Sequence, residues 1–396
     1  MVTGGAGFIG ANFCHYWSAT YPGDRLVVLD ALTYAGNLAS IEPLIQSQRV
    51  RFVHGDICDR DRVAALLREE RIDTIVNFAA ESHVDRSIKD PQSFLRTNVM
   101  GTHALLEAAR STWPDPATGS YRFHHVSTDE VYGSLGPADP AFTESTPYAP
   151  NSPYSASKAA ADHVVRAYVH TFATPCTISN CSNNYGPYQF PEKLLPLCIV
   201  NILEGRPLPI YGDGLQIRDW LHVQDHCRAI DHILRASAIG ETWNVGAGSS
   251  EPNIRVVEAV CELVDLEFRQ RPELKTRYPR SAPARGQPSR SLITHVKDRL
   301  GHDRRYAVDG GKIARLGFRP GTALDGGLAS TVRWYLEHES WWRAIVSGEY
   351  RSWYARQYAA ATLGGAIPRR ERALSSAART APHSGCVPVH RARRRA

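Results

Sequence analysis

The chain has 396 residues, 43% of them hydrophobic and 22% charged, so it is long enough to bury a large core and its composition excludes an intrinsically disordered body. No run approaches ~18 uninterrupted apolar residues, which excludes a spanning helix; Met1-Val2-Thr3 enters a glycine loop without a basic stretch, so no secretory leader is expected. Of the net charge of +6, residues 359–396 carry eight arginines against Glu371, leaving −1 for the remainder, so the basic balance does not describe a nucleic-acid-binding face on the body.

The first half alternates strand-like and helix-like runs. Residues 25–30, 50–54, 74–78, 121–127 and 176–181 are short and apolar or β-branched, whereas 8–20, 60–71, 93–111 and 154–172 have helical spacing. Continuous apolar strands between helices predict an α/β fold: a Rossmann-type, doubly wound parallel sheet covered on both faces. Residues 1–181 form the expected dinucleotide-binding domain, with the segment around 212–240 returning to it. Only Met1–Thr3 precede the glycine loop, so the first strand is either unusually short or lacks its outer residues. After Asn183, prolines at 191, 196, 207 and 209 break the pattern, and residues 268–290 are rich in Arg, Pro and Ser. Segments 182–211 and 240–345 predict a smaller mixed α/β lobe that binds substrate. Residues 359–396 read as a solvated, disordered tail, with no aromatic side chain to stack a base. The eight cysteines (14, 58, 176, 181, 198, 227, 261, 386) form no C-x-x-C, which predicts reduced thiols, a cytoplasmic protein and no metal site.

Gly4-Gly5-Ala6-Gly7-Phe8-Ile9-Gly10 opens directly into the first helix. Glycines at 4, 7 and 10 permit a tight turn, close approach of backbone to a pyrophosphate, and close helix–strand packing. The helix N-terminus adds amide donors and a favourable dipole. Asp30 ends the next strand, 20 residues after Gly10, where a carboxylate binds the adenosine ribose hydroxyls and repels a 2′-phosphate. NAD is therefore expected over NADP. Gly55-Asp56-Ile57 ends the following strand and is placed to frame the adenine.

Tyr154 and Lys158 lie four residues apart, on one face of a helix. An ammonium beside the phenol is expected to pull its pKa from ~10 toward the working pH, giving a general base for an alcohol that loses hydride. A surface lysine beside a half-buried tyrosine has the same spacing, so the order of motifs decides. Glycine loop, acidic partner, Val126-Ser127-Thr128 and then Tyr-x-x-x-Lys resembles the extended short-chain dehydrogenase/reductase family, with Thr128 at its Ser/Thr position. Asp129 and Glu130 follow at once. A simple dehydrogenase or epimerase needs no second acid–base pair, but eliminating water β to a new ketone does.

Longer motifs narrow the resemblance: TYAGNL (33–38), AAESHVDRS (79–87), NNYGPYQFPEKL (183–194), RDWLHV (218–223) and DRLGHDRRYA (298–307). Together they resemble the dTDP-glucose 4,6-dehydratase family, from residue 1 to about 345. The resemblance implies tightly bound NAD⁺, contacted by Gly4, Gly7, Phe8, Ile9 and Gly10 of the loop and by Asp30, Thr33, Asp56, Ile57, Ala79, Ala80, Ser82, Thr97, Tyr154, Lys158 and Asn184. It implies that Ser82, Thr128, Asn183, Lys193, Leu194, Pro209, Tyr211, Arg218, Asn253, Arg299 and His302 hold the nucleotide sugar. Lys193, Arg218, Arg299 and His302 also make chemical sense as the cations that meet a diphosphate on a nearly neutral body. The implied reaction oxidises C4, removes the C5 proton through Glu130, expels the C6 hydroxyl as water with Asp129 as acid, and returns hydride to C6. The resemblance further implies a homodimer through residues 93–111 and 154–172. Two departures touch the nucleotide end: Leu300 stands where the family usually has proline, and GAGSSE (246–251) replaces a more polar loop. The choice of thymine or uracil therefore stays open. So do the rival readings, a UDP-glucose 4-epimerase, another nucleotide-sugar 4,6-dehydratase, or a non-catalytic NAD-sensing protein.

Overall fold

In the computed structural model, which describes residues 1–114, 121–236 and 239–347, the strands of the central sheet are largely buried. Strand β2 (Leu26–Asp30) is buried at all five positions, as is β6 (Cys176–Cys181) at all six. A strand buried on both faces must be apolar throughout, which is why these runs do not alternate. With β1 (Val2–Thr3), β3 (Val50–His54), β4 (Thr74–Asn77), β5 (Arg122–Thr128) and β10 (Thr242–Val245), they form one sheet in the order β10-β6-β5-β4-β1-β2-β3. Every pairing within it is parallel. The strand β1 is indeed only two residues long, yet it sits at the centre, with Thr3 level with Leu29 on one side and Asn77 on the other. Strand order reverses between β1 and β4, which opens a crevice at the carboxyl ends of the strands.

Helices cover both faces. Helix α1 (Phe8–Thr20) packs with α6 (Val223–Arg235) through Phe13, Cys14, Cys227 and Ile230. Opposite, α2 (Arg60–Glu69), α3 (Thr102–Thr112) and α4 (Pro153–Phe172) bury Leu66, Leu105 and Val165. A separate core gathers α5 (Leu194–Glu204), β8 (Leu208–Tyr211), α7 (Asn253–Gln270), α8 (Leu324–Glu337) and α9 (Glu339–Val346) around Tyr185, Trp220 and Trp342. Small sheets flank it: β7 (Asn183–Tyr185), β9 (Ile217–His222) and β11 (Ser250–Pro252) in one, and β8 with β12 (Ile293–Val296) in the other.

Two expectations change. The boundary at 240 falls too early, because β10 pairs with β6 and belongs to the central sheet; Thr242–Val245 is buried at every position, but four residues are too few to stand out by pattern. The helix expected over 93–111 is interrupted: a short α-helix (Pro91–Phe94) passes into a π-helical stretch (Leu95–Gly101) before α3 begins. Asn98 accounts for the break. Its carboxamide accepts from Glu81 N at 2.8 Å and donates to Glu81 O at 3.0 Å and to Ser157 Oγ at 2.8 Å, tying the helix to the end of β4 and to α4. Close packing also demands Gly101, since a Cβ there would lie 2.5 Å from Ile57 Cδ1. Among the described residues seven cysteines are free, no group of acidic, His or Cys side chains could hold a metal, and no helix is long and apolar enough to cross a membrane. The Arg-rich tail lies outside the described residues.

Candidate active site

A cavity of about 330 Å³ fills the crevice between β1 and β4 and continues past the end of β5. Its floor is the glycine loop. Gly4 has φ +66°, and a Cβ there would lie 2.7 Å from Ala79 N; at Gly10 it would lie 2.3 Å from Gly4 O. Side chains are thus excluded where loop, β4 and α1 meet. Phe8, Ile9 and Gly10 open α1, so their amides have no carbonyl partner within the helix, and all three residues line the cavity. No acidic side chain occupies that first turn. This is an anion site of pyrophosphate character.

Asp30 stands beside the loop, with Oδ2 accepting from Ala6 N at 2.9 Å and Oδ1 from Leu32 N at 2.8 Å. Burial pushes its carboxyl up, and those two amides oppose the shift. Each oxygen keeps a further lone pair for a ribose hydroxyl, so the residues present fit a dinucleotide with a free 2′-hydroxyl. At the adenine end Asp56 pairs with Arg96 at 2.7 Å. All sixteen residues expected to contact the cofactor line this one cavity.

At the other end of the cavity, Thr128 terminates β5 and caps a 3₁₀ turn (Asp129–Tyr132), its Oγ1 accepting from Glu130 N at 3.3 Å. This turn presents both carboxyl groups to the cavity. Their fields differ. Asp129 is buried, its Oδ2 has no hydrogen-bond partner, and burial together with Glu130 and Asp219 pushes its carboxyl well above the usual range. Burial also raises Glu130, but Arg299, Arg218 and Lys193 pull it back. Neighbouring carboxyls held apart in this way divide naturally into an acid and a base.

Facing them, Tyr154 and Lys158 project from the first turns of α4, whose start is set by a capping box between Ser152 and Ser155 with Pro153 at the first helical position. Here the expected titration is reversed. Burial pushes the Tyr154 phenol well above its ordinary value and Glu130 adds to the shift, while Lys158 Nζ donates to Val126 O at 2.8 Å. The ammonium is itself pushed down by burial. Spacing along a helix says which face two side chains share, not which hydrogen bonds they choose.

Of the residues expected to hold the nucleotide sugar, Ser82, Thr128, Asn183 and Lys193 line the cavity; Leu194, Pro209, Tyr211, Arg218, Asn253, Arg299 and His302 do not. Several of these nevertheless form a group adjoining Glu130. Buried Arg218 lies 4.3 Å over the Tyr306 ring and donates to Asp303 O at 2.9 Å. Arg299 lies 4.0 Å from Asp85, whose other oxygen accepts from Tyr211 at 3.0 Å. His302 is not a cation near neutral pH, because burial and Arg299 push it down to about 4. Leu194 packs on the separate core around Tyr185, Trp220 and Trp342, Pro209 is buried in β8, and Asn253 starts α7. Glu81, Arg96 and Glu192 line the cavity without having been singled out. Glu81 and Glu192 lay inside quoted motifs, but Arg96 gave no signal beyond its place before Thr97.

A doubly wound sheet with a dinucleotide loop, a Tyr-x-x-x-Lys helix and an added carboxyl pair at the end of β5 defines a short-chain dehydrogenase/reductase-type enzyme equipped for elimination. Comparison with known proteins agrees. The family model described as GDP-mannose 4,6 dehydratase matches residues 1–331. A dTDP-glucose 4,6-dehydratase of Xanthomonas campestris is 53% identical over 355 residues, spanning 89% of this chain and 97% of that protein; one of Salmonella typhimurium is 47% identical over 370 residues, spanning 90% and 98%. A Streptomyces venezuelae dTDP-glucose 4,6-dehydratase solved with NAD and TYD bound superposes with a TM-score of 0.77 at 46% identity, covering 87% of this chain and 98% of that one. A UDP-glucose 4-epimerase of Thermus thermophilus, solved with NAD, reaches 0.72 at 27%, covering 85% and 98%. The chain belongs to the dTDP-glucose 4,6-dehydratase family.

Proposed function

We infer that this chain is an NAD-dependent hydro-lyase that converts dTDP-glucose into dTDP-4-keto-6-deoxy-glucose and water. The observation that carries the reading is the buried carboxyl pair, Asp129 and Glu130, held in unequal fields beside Tyr154. NAD, when bound, supplies the hydride acceptor for C4 and, once reduced, the hydride donor for C6. The amides of Phe8, Ile9 and Gly10 hold its pyrophosphate, Asp30 the adenosine ribose, and Tyr154 with Lys158 the nicotinamide ribose.

Tyr154 takes the C4 hydroxyl proton in its phenolate form, which the positive charges of Lys158 and of a bound nicotinamide would favour against the effect of burial, and the Thr128 hydroxyl donates to the forming ketone oxygen. That ketone acidifies C5–H, and the Glu130 carboxylate removes the proton. Asp129 is kept protonated by burial and by its like-charged neighbours, so it has a proton to deliver to the C6 hydroxyl, which leaves as water. Glu130 returns a proton to C5, and the cycle is redox-neutral. Lys193, Arg218 and Arg299 meet the diphosphate, with neutral His302 as a hydrogen-bonding partner. The lobe of 182–211 and 240–345, less β10, holds the nucleotide end.

The protein acts in the cytoplasm as a homodimer. Leu95, Met100 and Phe172 support the dimer: they are 52%, 56% and 44% exposed on the π-helical stretch and at the end of α4, where apolar side chains call for a partner surface. An epimerase has no use for Asp129 and Glu130, and an NAD-sensing protein has none for Tyr154 either. Incubation of the purified protein with dTDP-glucose, without added NADH, tests the reading, with UDP-glucose in a parallel arm. The 4-keto-6-deoxy sugar is expected; epimerisation at C4, or unchanged sugar, overturns it.

A further inference from the structure

Strands β5, β6 and β10 carry a row of polar side chains one residue before their carboxyl ends. Ser127 on β5 is level with Asn180 on β6, and Asn180 with Asn244 on β10. All three are buried. Residues level on neighbouring strands share a face of the sheet, and the phenol of Tyr132 reaches this one. Its ring is 2% exposed and stacks on Phe142 at 5.1 Å.

Which atoms donate is settled by the neighbours. Asn244 Nδ2 donates to Phe142 O at 3.0 Å, so Oδ1 is the atom 2.8 Å from the phenol, and Tyr132 donates to it. With its proton spent there, the phenol oxygen can only accept. The Asn180 atom 2.9 Å away is therefore Nδ2, which also donates to Tyr148 OH at 3.0 Å. Tyr148 donates in turn to Asp162 Oδ2 on α4 at 2.9 Å, the same oxygen that accepts from Ser127 Oγ at 2.9 Å. The Tyr132 hydroxyl is thus satisfied both as donor and as acceptor by side chains of two adjacent strands.

Tyr132 closes the 3₁₀ turn that presents Asp129 and Glu130. The ladder of β5 ends at Thr128, paired with Cys181. The sheet therefore holds Thr128, and α4 holds Tyr154 and Lys158, but the two carboxyl groups lie beyond both. Asp129 Oδ1 meets the adjoining Thr128 hydroxyl at 3.4 Å, and its Oδ2 has no partner. Where that carboxyl stands depends on the backbone of the turn, which is tied by Ala149 N donating to Val131 O at 3.0 Å and by the Tyr132 hydroxyl. We propose that Tyr132 is a positioning residue for the elimination half of the reaction, its hydroxyl clamped between Asn180 and Asn244 so that the turn carrying Asp129 and Glu130 keeps one place. The chemical meaning of this role rests on the dehydratase reading; the ordering of the turn is measurable without it.

Tyr132→Phe removes one oxygen and keeps the ring. In a single turnover with dTDP-glucose, bound NADH should form near the wild-type rate, because Thr128, Tyr154 and Lys158 are held elsewhere. Its decay and the entry of solvent deuterium at C5 should slow about 10–100-fold, the scale of a displacement of about 1 Å in a reacting group. Asn244→Leu removes the acceptor from the other side and should do the same, and the two substitutions together should be little slower than either alone. In sugar-free protein, amides of residues 129–135 should exchange about fivefold faster in Tyr132→Phe, while those of 153–172 stay as they are. Elimination that keeps pace with oxidation, or oxidation that slows equally, overturns the proposal. Unchanged exchange in the turn overturns it too. Failure of both variants to fold would make the hydroxyl a condition of folding, which also removes the positioning role. A wild-type protein inert toward dTDP-glucose would instead strike the functional reading, and amide exchange would still decide whether Tyr132 orders the turn.

Discussion

Replacing Asp129 with asparagine keeps the side chain's shape and removes its proton and its charge, which separates catalysis from stability at one position. As a donor to the C6 hydroxyl, a positioned carboxyl contributes about 10²–10⁴ in rate, or roughly 2.7–5.5 kcal/mol of barrier. Asp129→Asn should slow elimination by that factor while leaving C4 oxidation to Tyr154. Single-turnover absorbance should then show reduced cofactor that rises and fails to decay. Stability should move the other way. The folded protein raises the carboxyl's pKa through burial and through Glu130 and Asp219, so the group favours folding at low pH, and that contribution is lost as pH rises through the folded value. Asparagine does not titrate. With Oδ2 lacking a partner, relief of a desolvated carboxylate is worth about 1 kcal/mol or more, roughly 2 °C in Tm, and should widen toward alkaline pH. Wild-type turnover by Asp129→Asn would refute the acid role. A Tm below wild type at alkaline pH would refute the electrostatic account of how the proton is held.

Asp30→Ala should narrow the preference for NAD over NADP, measured as the ratio of the two dissociation constants; equal binding of both by the unaltered protein would remove the basis for that preference. Gly10→Ala places a methyl 2.3 Å from Gly4 O, so NAD affinity should fall at least about tenfold, by roughly 1.4 kcal/mol, in a titration calorimeter. Leu95→Asp combined with Met100→Asp should shift the protein from dimer to monomer in sedimentation velocity; an unchanged dimer would move the interface elsewhere.

Much of this protein is written locally. The glycine loop, Asp30 and the apolar strands act over a few residues, through backbone conformation and burial, so their pattern alone determines a parallel dinucleotide-binding sheet. The adjacency of Asp129 and Glu130 likewise announces an acid–base pair before any contact is known. What the chain cannot display is field and partner choice. Asp129 and Glu130 are neighbours of the same chemical kind, and only the arrival of Arg218, Arg299 and Lys193 from distant segments pulls Glu130 back while Asp129 stays high. Lys158 shares a helical face with Tyr154, yet the fold turns its ammonium to Val126 O. Asn98 breaks a helix whose periodicity runs on, because its amide finds backbone groups seventeen residues away. Periodicity records which face is buried. Which polar groups meet there, and which of them keep their protons, depends on distances between segments far apart in the chain, and those exist only once the sheet has assembled.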